Sequence, residues 1–289
     1  MFFRRILFDK SFKLDDNNLI FKNCIGFNYK NIYDDNYVAQ GFTISNDFCI
    51  ISAYSKSHDS SRIYLYEKNG SFNKFVELDN KAHVGGIAYD YTNNILFVTG
   101  SAGKINVYDY NELISGNILK YNVDINISKI IGENTSASTI SFFDNKLYAC
   151  TFEGVGKMVI FTLKFLDGKI KVIDNKVIDN LPSAIQGISV FKYNEKLYYL
   201  FSQSYGRLKS IIKLYDDNFC FLRQAKLKYI GIEGIDIDYT GNVCCIFENG
   251  IDNMKKIHLT NFVFGNNLYK EYKFYLRANY YRKKCSIIK

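Results

Sequence analysis

One short pattern recurs five times along the chain and limits what it can become. Each copy has a small or apolar residue, then a polar or small one, usually glycine, then Ile or Phe leading an apolar run. The copies are Ala39-Gln40-Gly41-Phe42, Val84-Gly85-Gly86-Ile87, Ala137-Ser138-Thr139-Ile140, Ile185-Gln186-Gly187-Ile188 and Ile232-Glu233-Gly234-Ile235. Their third positions lie 45, 53, 48 and 47 residues apart. A period of about 40–50 residues is that of propeller blades, at four strands per blade.

The same events follow each copy. A first strand alternates with period two, as in Phe42/Ile44 and Ile188/Val190. A polar turn leads to a more continuously apolar second strand, such as Ile95–Thr99 or Val243–Phe247, whose two faces should both be covered. A third strand follows, and a more polar fourth closes most units, as at Phe72–Leu78 and Lys169–Val177. Innermost strands crowd the propeller axis, where a residue without Cβ permits close backbone approach. The expected fold is all-β, a propeller of four-stranded antiparallel blades, five in number with six as the alternative. Residues 1–36 are read as an extension supplying a closing strand, 37–276 as one propeller domain and 277–289 as a basic tail. Helix is expected at most as a short turn over Asn111–Ser115.

Composition agrees with strands. Aromatics are 17% of the 289 residues, as 24 Phe and 24 Tyr with no Trp, and proline occurs once. The net charge is +8, and the stretch Gly265–Lys289 holds seven cations against Glu271 alone. The body is thus nearly neutral, and a globally basic nucleic-acid surface is not expected. The seven cysteines are odd in number, form no C-x-x-C and fall partly inside apolar runs. They read as buried free thiols of a reducing compartment, and with only three histidines a zinc site is not expected. No stretch approaches the about 18 apolar residues of a membrane helix, and Met1–Lys10 has no apolar leader core, so the expected location is cytoplasmic.

The segments His83-Val84-Gly85-Gly86-Ile87-Ala88, Ser204-Tyr205-Gly206-Arg207 and Phe247-Glu248-Asn249-Gly250 carry a resemblance. Over Tyr37–Leu259 the chain resembles a group of mostly bacterial propeller proteins. Those have a Gln-Gly strand opening and H-V-G-G-I-A, S-Y-G-R and late F-E-S motifs. The resemblance implies a propeller and no established activity. The chain departs from the group at Asn249, where the group has Ser, and at Thr151, where it tends to an acid. More distantly the chain is similar to five-bladed glutaminyl cyclotransferases. Their site motifs include Trp, which this chain lacks, and Ala53 and Tyr54 stand where an acid is sought, so that activity is not expected.

In a propeller the start of strand one and the end of strand two share a face around the central mouth. The first ring there is Gln40, Gly85 with His83 beside it, Ser138, Gln186 and Glu233; the second is Tyr54, Thr99, Glu153, Gln203 with Arg207, and Glu248. Such a concave polar opening is a usual ligand site. His83 is read as a hydrogen-bonding bridge between blades in preference to a general base. Glu153, Glu233 and Glu248 offer oxygens for a hard divalent cation, Ca²⁺ or Mg²⁺, as in lactonase-type propellers, unless each is solvated or paired with Arg207 or Lys157. Arg207 with Ser204 and Ser210 fits a carboxylate or phosphate, or simply braces its loop. The aromatic and basic tail from Tyr269 reads as a solvated end more than as an RNA or membrane contact.

The leading expectation is a non-enzymatic binding propeller, monomeric and without a resident cofactor. Its mouth takes a small polar ligand or peptide, or its edges a protein. The rival is a metal-assisted hydrolase or lactonase. A third reading is an anionic partner held by the tail.

Overall fold

The computed structural model describes residues 22–133, 135–152, 154–193, 195–206, 208–238, 241–248 and 253–258. The proposed tail, Glu153 and Arg207 lie outside these residues.

Four four-stranded antiparallel sheets form blades. Strands β2 (Tyr37–Ile44), β3 (Phe48–Ser55), β4 (Arg62–Glu67) and β5 (Phe72–Glu77) form one. Another comprises β9 (Ala137–Phe143), β10 (Lys146–Thr151), β11 (Gly156–Leu166) and β12 (Lys169–Leu181). The next is β13 (Ile185–Tyr193), β14 (Lys196–Gln203), β15 (Lys209–Tyr215) and β16 (Phe221–Ile230). The last joins β17 (Ile232–Ile237), β18 (Asn242–Phe247) and β19 (Asn253–His258) to β1 (Lys22–Asn28), which pairs antiparallel with β19 at the outer edge.

The second repeat makes a three-stranded sheet, β6 (Ile87–Asp90), β7 (Ile95–Thr99) and β8 (Ile105–Asp109). This corrects the expectation of five or six four-stranded blades: four are four-stranded. The reason is local. After β8 the Asp109 side chain accepts from the Glu112 N–H and starts a helix, α2 (Tyr110–Ser115), which Gly116 ends in the left-handed region at φ 100°. The chain returns along β8 with scattered bonds, Tyr121 N to Val107 O at 2.8 Å and Ile105 N to Ile125 O at 2.8 Å, and two isolated bridges in place of a ladder.

The inner strands close the ring: β2 packs on β6, β6 on β9, β9 on β13, β13 on β17 and β17 back on β2. Close approach at the axis explains the repeated glycine. A Cβ on Gly234 would lie 2.6 Å from Phe42 Cβ, and one on Gly187 would lie 3.0 Å from Ile235 N. Second strands are buried on both faces, as at β7, while β5 is mostly exposed. The tight hairpin between β9 and β10 has Asp144 and Asn145 both at positive φ, 51° and 57°, the twist-matching turn for which Asp and Asn are suited.

Buried apolar side chains gather in wedges between neighbouring sheets. One joins Phe27, Tyr37 and Tyr66 to Cys244 and Ile246; another joins Tyr148 and Cys150 to Tyr199 and Phe201. Aromatic pairs span the wedges, such as Tyr148–Tyr199 at 5.9 Å and Phe97–Phe142 at 5.1 Å. Cys49, Cys150, Cys244 and Cys245 are buried, Cys220 is exposed, and burial pushes the Cys150 thiol up. Among the described residues no helix is long and apolar enough to cross a membrane.

Candidate functional site

Each four-stranded blade has an irregularity at the same place. Register slips between Ala39 and Gly41, around Ser138, between Ile185 and Gly187 and between Ile232 and Gly234. The extra residue of each bulge is Gln40, Ser138, Gln186 or Glu233. A bulge re-aims the side chain it inserts. Here all four line one cavity of about 720 Å³. His83, Gly85, Thr99 and Glu248 complete its wall among the residues named from the sequence.

The walls differ in what they leave available. The Ser138 hydroxyl lies 2.7 Å from Ile185 O and 3.2 Å from Cys150 O, tying β9 to β13. Thr99 Oγ1 accepts from Gly86 N at 2.9 Å. Both are braces. Gln40 is 3% exposed, and its Nε2 donates to its own neighbour's carbonyl, Ala39 O, at 3.0 Å. Gln186 Nε2 donates to Glu233 Oε1 at 3.3 Å. Each amide nitrogen thus has one of its two N–H groups engaged, which orients the carboxamide in the wall.

Glu233 is 3% exposed. Burial first, then the charge of Glu248 and a hydrogen bond with it, holds its pKa well above the usual carboxylate range. The protonated form of Glu233 is thereby favoured. His83 makes no hydrogen bond among the described residues; it stacks on Tyr54 with ring centroids 4.4 Å apart. It bridges neighbouring sheets, by stacking and not by the hydrogen bond expected from the sequence. Its ring meets solvent at the mouth, and partial burial lowers its pKa against the pull of Glu248.

Two expected lining residues lie behind the wall. Tyr54 reaches the cavity only through His83, and burial, then Glu248 and Glu233, raises its pKa. Gln203 is buried and donates to Ser183 O, with its Oε1 unpaired. Ile131, Thr135, Ser136, Phe152 and Val155 line the cavity without having been singled out, and Lys157, named only as a counter-ion for the acids, lines it from β11. The first five sit between the strands on segments that do not repeat, so no periodicity announces them. Lys157 is held at 3.5 Å from Asp179. Among the described residues no group of three His, Cys, Asp or Glu is placed to hold a metal ion. The carboxylate set read from the sequence is seen only as Glu233 and Glu248.

No protein-family model and no curated protein matches the chain. Among solved structures it is similar to an auxiliary nutrient binding protein from Bacteroides thetaiotaomicron VPI-5482, with a TM-score of 0.50 and 11% identity, over 75% of this chain and 58% of that one. Chaetomium thermophilum Raptor matches with a TM-score of 0.39 and 12% identity, over 74% of this chain and 19% of that one. The chain thus spans less than two thirds of either protein, and the first likeness is one of fold.

Proposed function

We propose that the protein is a binding propeller that takes a small polar ligand into its mouth without transforming it. The observation that carries this reading is the set of four bulges, which direct Gln40, Ser138, Gln186 and Glu233 into one cavity. The hydroxyls placed there serve backbone groups: Ser138 and Thr99 as above, and Thr151 Oγ1 accepts from Lys157 N at 3.0 Å. None of these is hydrogen-bonded to a histidine or carboxylate, the pairing a hydroxyl nucleophile needs. The neighbour described as an auxiliary nutrient binding protein fits the reading at the level of fold.

The test is a thermal-shift screen of the full chain against sugars, polyols, amino acids, amines, organic acids and divalent cations. A ligand of the mouth raises Tm, and its effect is lost in Q40A and Q186A variants that melt as the wild type does. Hits that ignore both substitutions would sink the proposal. The rival, a metal-assisted hydrolase or lactonase on Glu153, Glu233 and Glu248, would instead show a Ca²⁺ or Mg²⁺ shift that E233Q abolishes.

A further inference from the structure

We propose that the anchor recognised in this mouth is a small organic cation, an ammonium group seated against Glu233, Glu248, Gln40 and Gln186 beside the Tyr54–His83 stack. The inference rests on the mouth being a binding site and names what it binds.

The first ground is the hydrogen-bonding sense of the wall. Gln40 and Gln186 each place one of their two N–H groups on Ala39 O and Glu233 Oε1, with the carboxamide oxygen left unbonded among the described residues. Their carboxamide oxygens join two carboxyls, so this side of the cavity offers acceptors. Gln40 Oε1 makes no hydrogen bond among the described residues and opens on the cavity, where it can accept from a ligand that supplies donors. An ammonium carries three donors and no acceptor.

The second ground is charge. No Lys or Arg among the described residues forms an ion pair with Glu233 or Glu248, and Lys157, on another wall, is directed to Asp179. Burial lowers the pKa of His83 and so disfavours its cationic form. The carboxyls of Glu233 and Glu248 thus line the cavity without a cationic partner among the described residues, and an ammonium supplies one. The third ground is the stack. The His83 ring, backed by Tyr54, lines the cavity within the field of Glu248, and the alkyl part of an organic cation can lie against it. A hard metal ion asks instead for six or more oxygens and gains nothing from the rings.

Burial favours the protonated form of Glu233, whereas an ammonium beside it favours the ionised form, so that binding releases a proton from Glu233 to the buffer and exchanges no other atom. The charged and titratable groups facing the pair are Glu248 from the end of β18, Tyr54 from β3, His83 before β6 and Lys157 from β11.

The experiment is calorimetry with the full chain near pH 6 in buffers of different ionisation enthalpy. The probes are putrescine, L-lysine and methylammonium, against butane-1,4-diol, glucose and CaCl₂. The expected result is binding of at least one amine with net proton release, no binding of the diol, and about tenfold or greater weakening in both E233Q and E248Q. Circular dichroism melts of the variants establish that they are folded. If glucose or the diol binds, with loss in Q40A but not in E233Q, the cation is wrong and the mouth reading stands. If CaCl₂ binds in place of the amines, with loss in E233Q, the organic cation is overturned. If no probe binds and the wider screen is empty as well, both fall.

Discussion

Asp236 shows how one side chain can set a pH dependence for the whole ring. It lies at the end of the axis opposite the mouth, beside a small opening of about 30 Å³. Its carboxylate accepts from Thr43 Oγ1 and Ile44 N on β2, each at 3.0 Å, from Ser189 Oγ on β13 at 3.4 Å, and from Ile237 N at 2.8 Å. Burial nevertheless dominates, and the pKa is pushed up to about 6 against those bonds. The folded chain then keeps this proton to higher pH than the unfolded one, whose carboxyl titrates near about 4. The contribution to stability is full below about pH 4 and is lost as pH rises through about 6, by no more than about 3 kcal/mol. In an Asp236→Asn variant the amide imposes a cost that does not titrate. The stability of the wild type relative to that variant, from urea midpoints at several pH values, should fall between pH 4.5 and 7 and then level. A difference that does not change with pH would remove the account.

At the scale of elements, the connection before β2 does more than join strands. Helix α1 (Lys30–Asp34) and its flanking tyrosine fix the end of β18. Tyr29 Oη donates to Phe247 O at 3.1 Å and accepts from Phe247 N at 2.9 Å, while Tyr33 Oη also donates to Phe247 O at 3.1 Å. On the other side Asn31 and Asp35 accept from Tyr66 and Tyr64 of β4 at 2.6 and 3.0 Å. The segment thus fastens the first blade to the last, one residue before Glu248. The two tyrosines are not equivalent. Tyr29→Phe strands a buried N–H and should cost about 1–3 kcal/mol, whereas Tyr33→Phe leaves Phe247 O served by Tyr29 and should cost less than about 1 kcal/mol. Equal losses in denaturant titrations would contradict this assignment. None of this was legible in the sequence, because it depends on partners 218 residues apart with no spacing to reveal them. The bulge residues were legible for the opposite reason: Gln40, Ser138, Gln186 and Glu233 repeat with the blade. Tyr54 and Gln203 were placed at the mouth by strand order alone, and packing set them behind its wall. The missing fourth strand of the second repeat followed from one N-cap, Asp109, too short a signal to outweigh the strand pattern around it.

For the molecule as a whole, the consequence of the ring is that no sheet is independent. Each apolar wedge is built from two neighbours, so opening one seam exposes surface on both sides. The seam between the first and last blades is special, since it joins residues near the two ends of the described chain. There β17 packs on β2, Phe27 is buried against Tyr66 at 5.1 Å, and β1 supplies the outer strand beside β19. A chain beginning at Tyr29 keeps α1 and its tyrosines but loses β1. It leaves β19 as an unpaired edge and removes a phenylalanine whose loss alone costs about 3–5 kcal/mol. At roughly 2–4 °C per kcal/mol for a domain somewhat smaller than this one, Tm should fall by on the order of 10 °C or more. Because both halves of the seam are weakened at once, the urea slope should fall along with the midpoint, as opening of the seam precedes loss of the other sheets. Hydrogen exchange would then show protection lost first in β17, β18 and β2 and kept in β9–β16. An unchanged midpoint and slope, or protection lost evenly round the ring, would mean that closure rests on the inner strands alone and that β1 is only an edge cover.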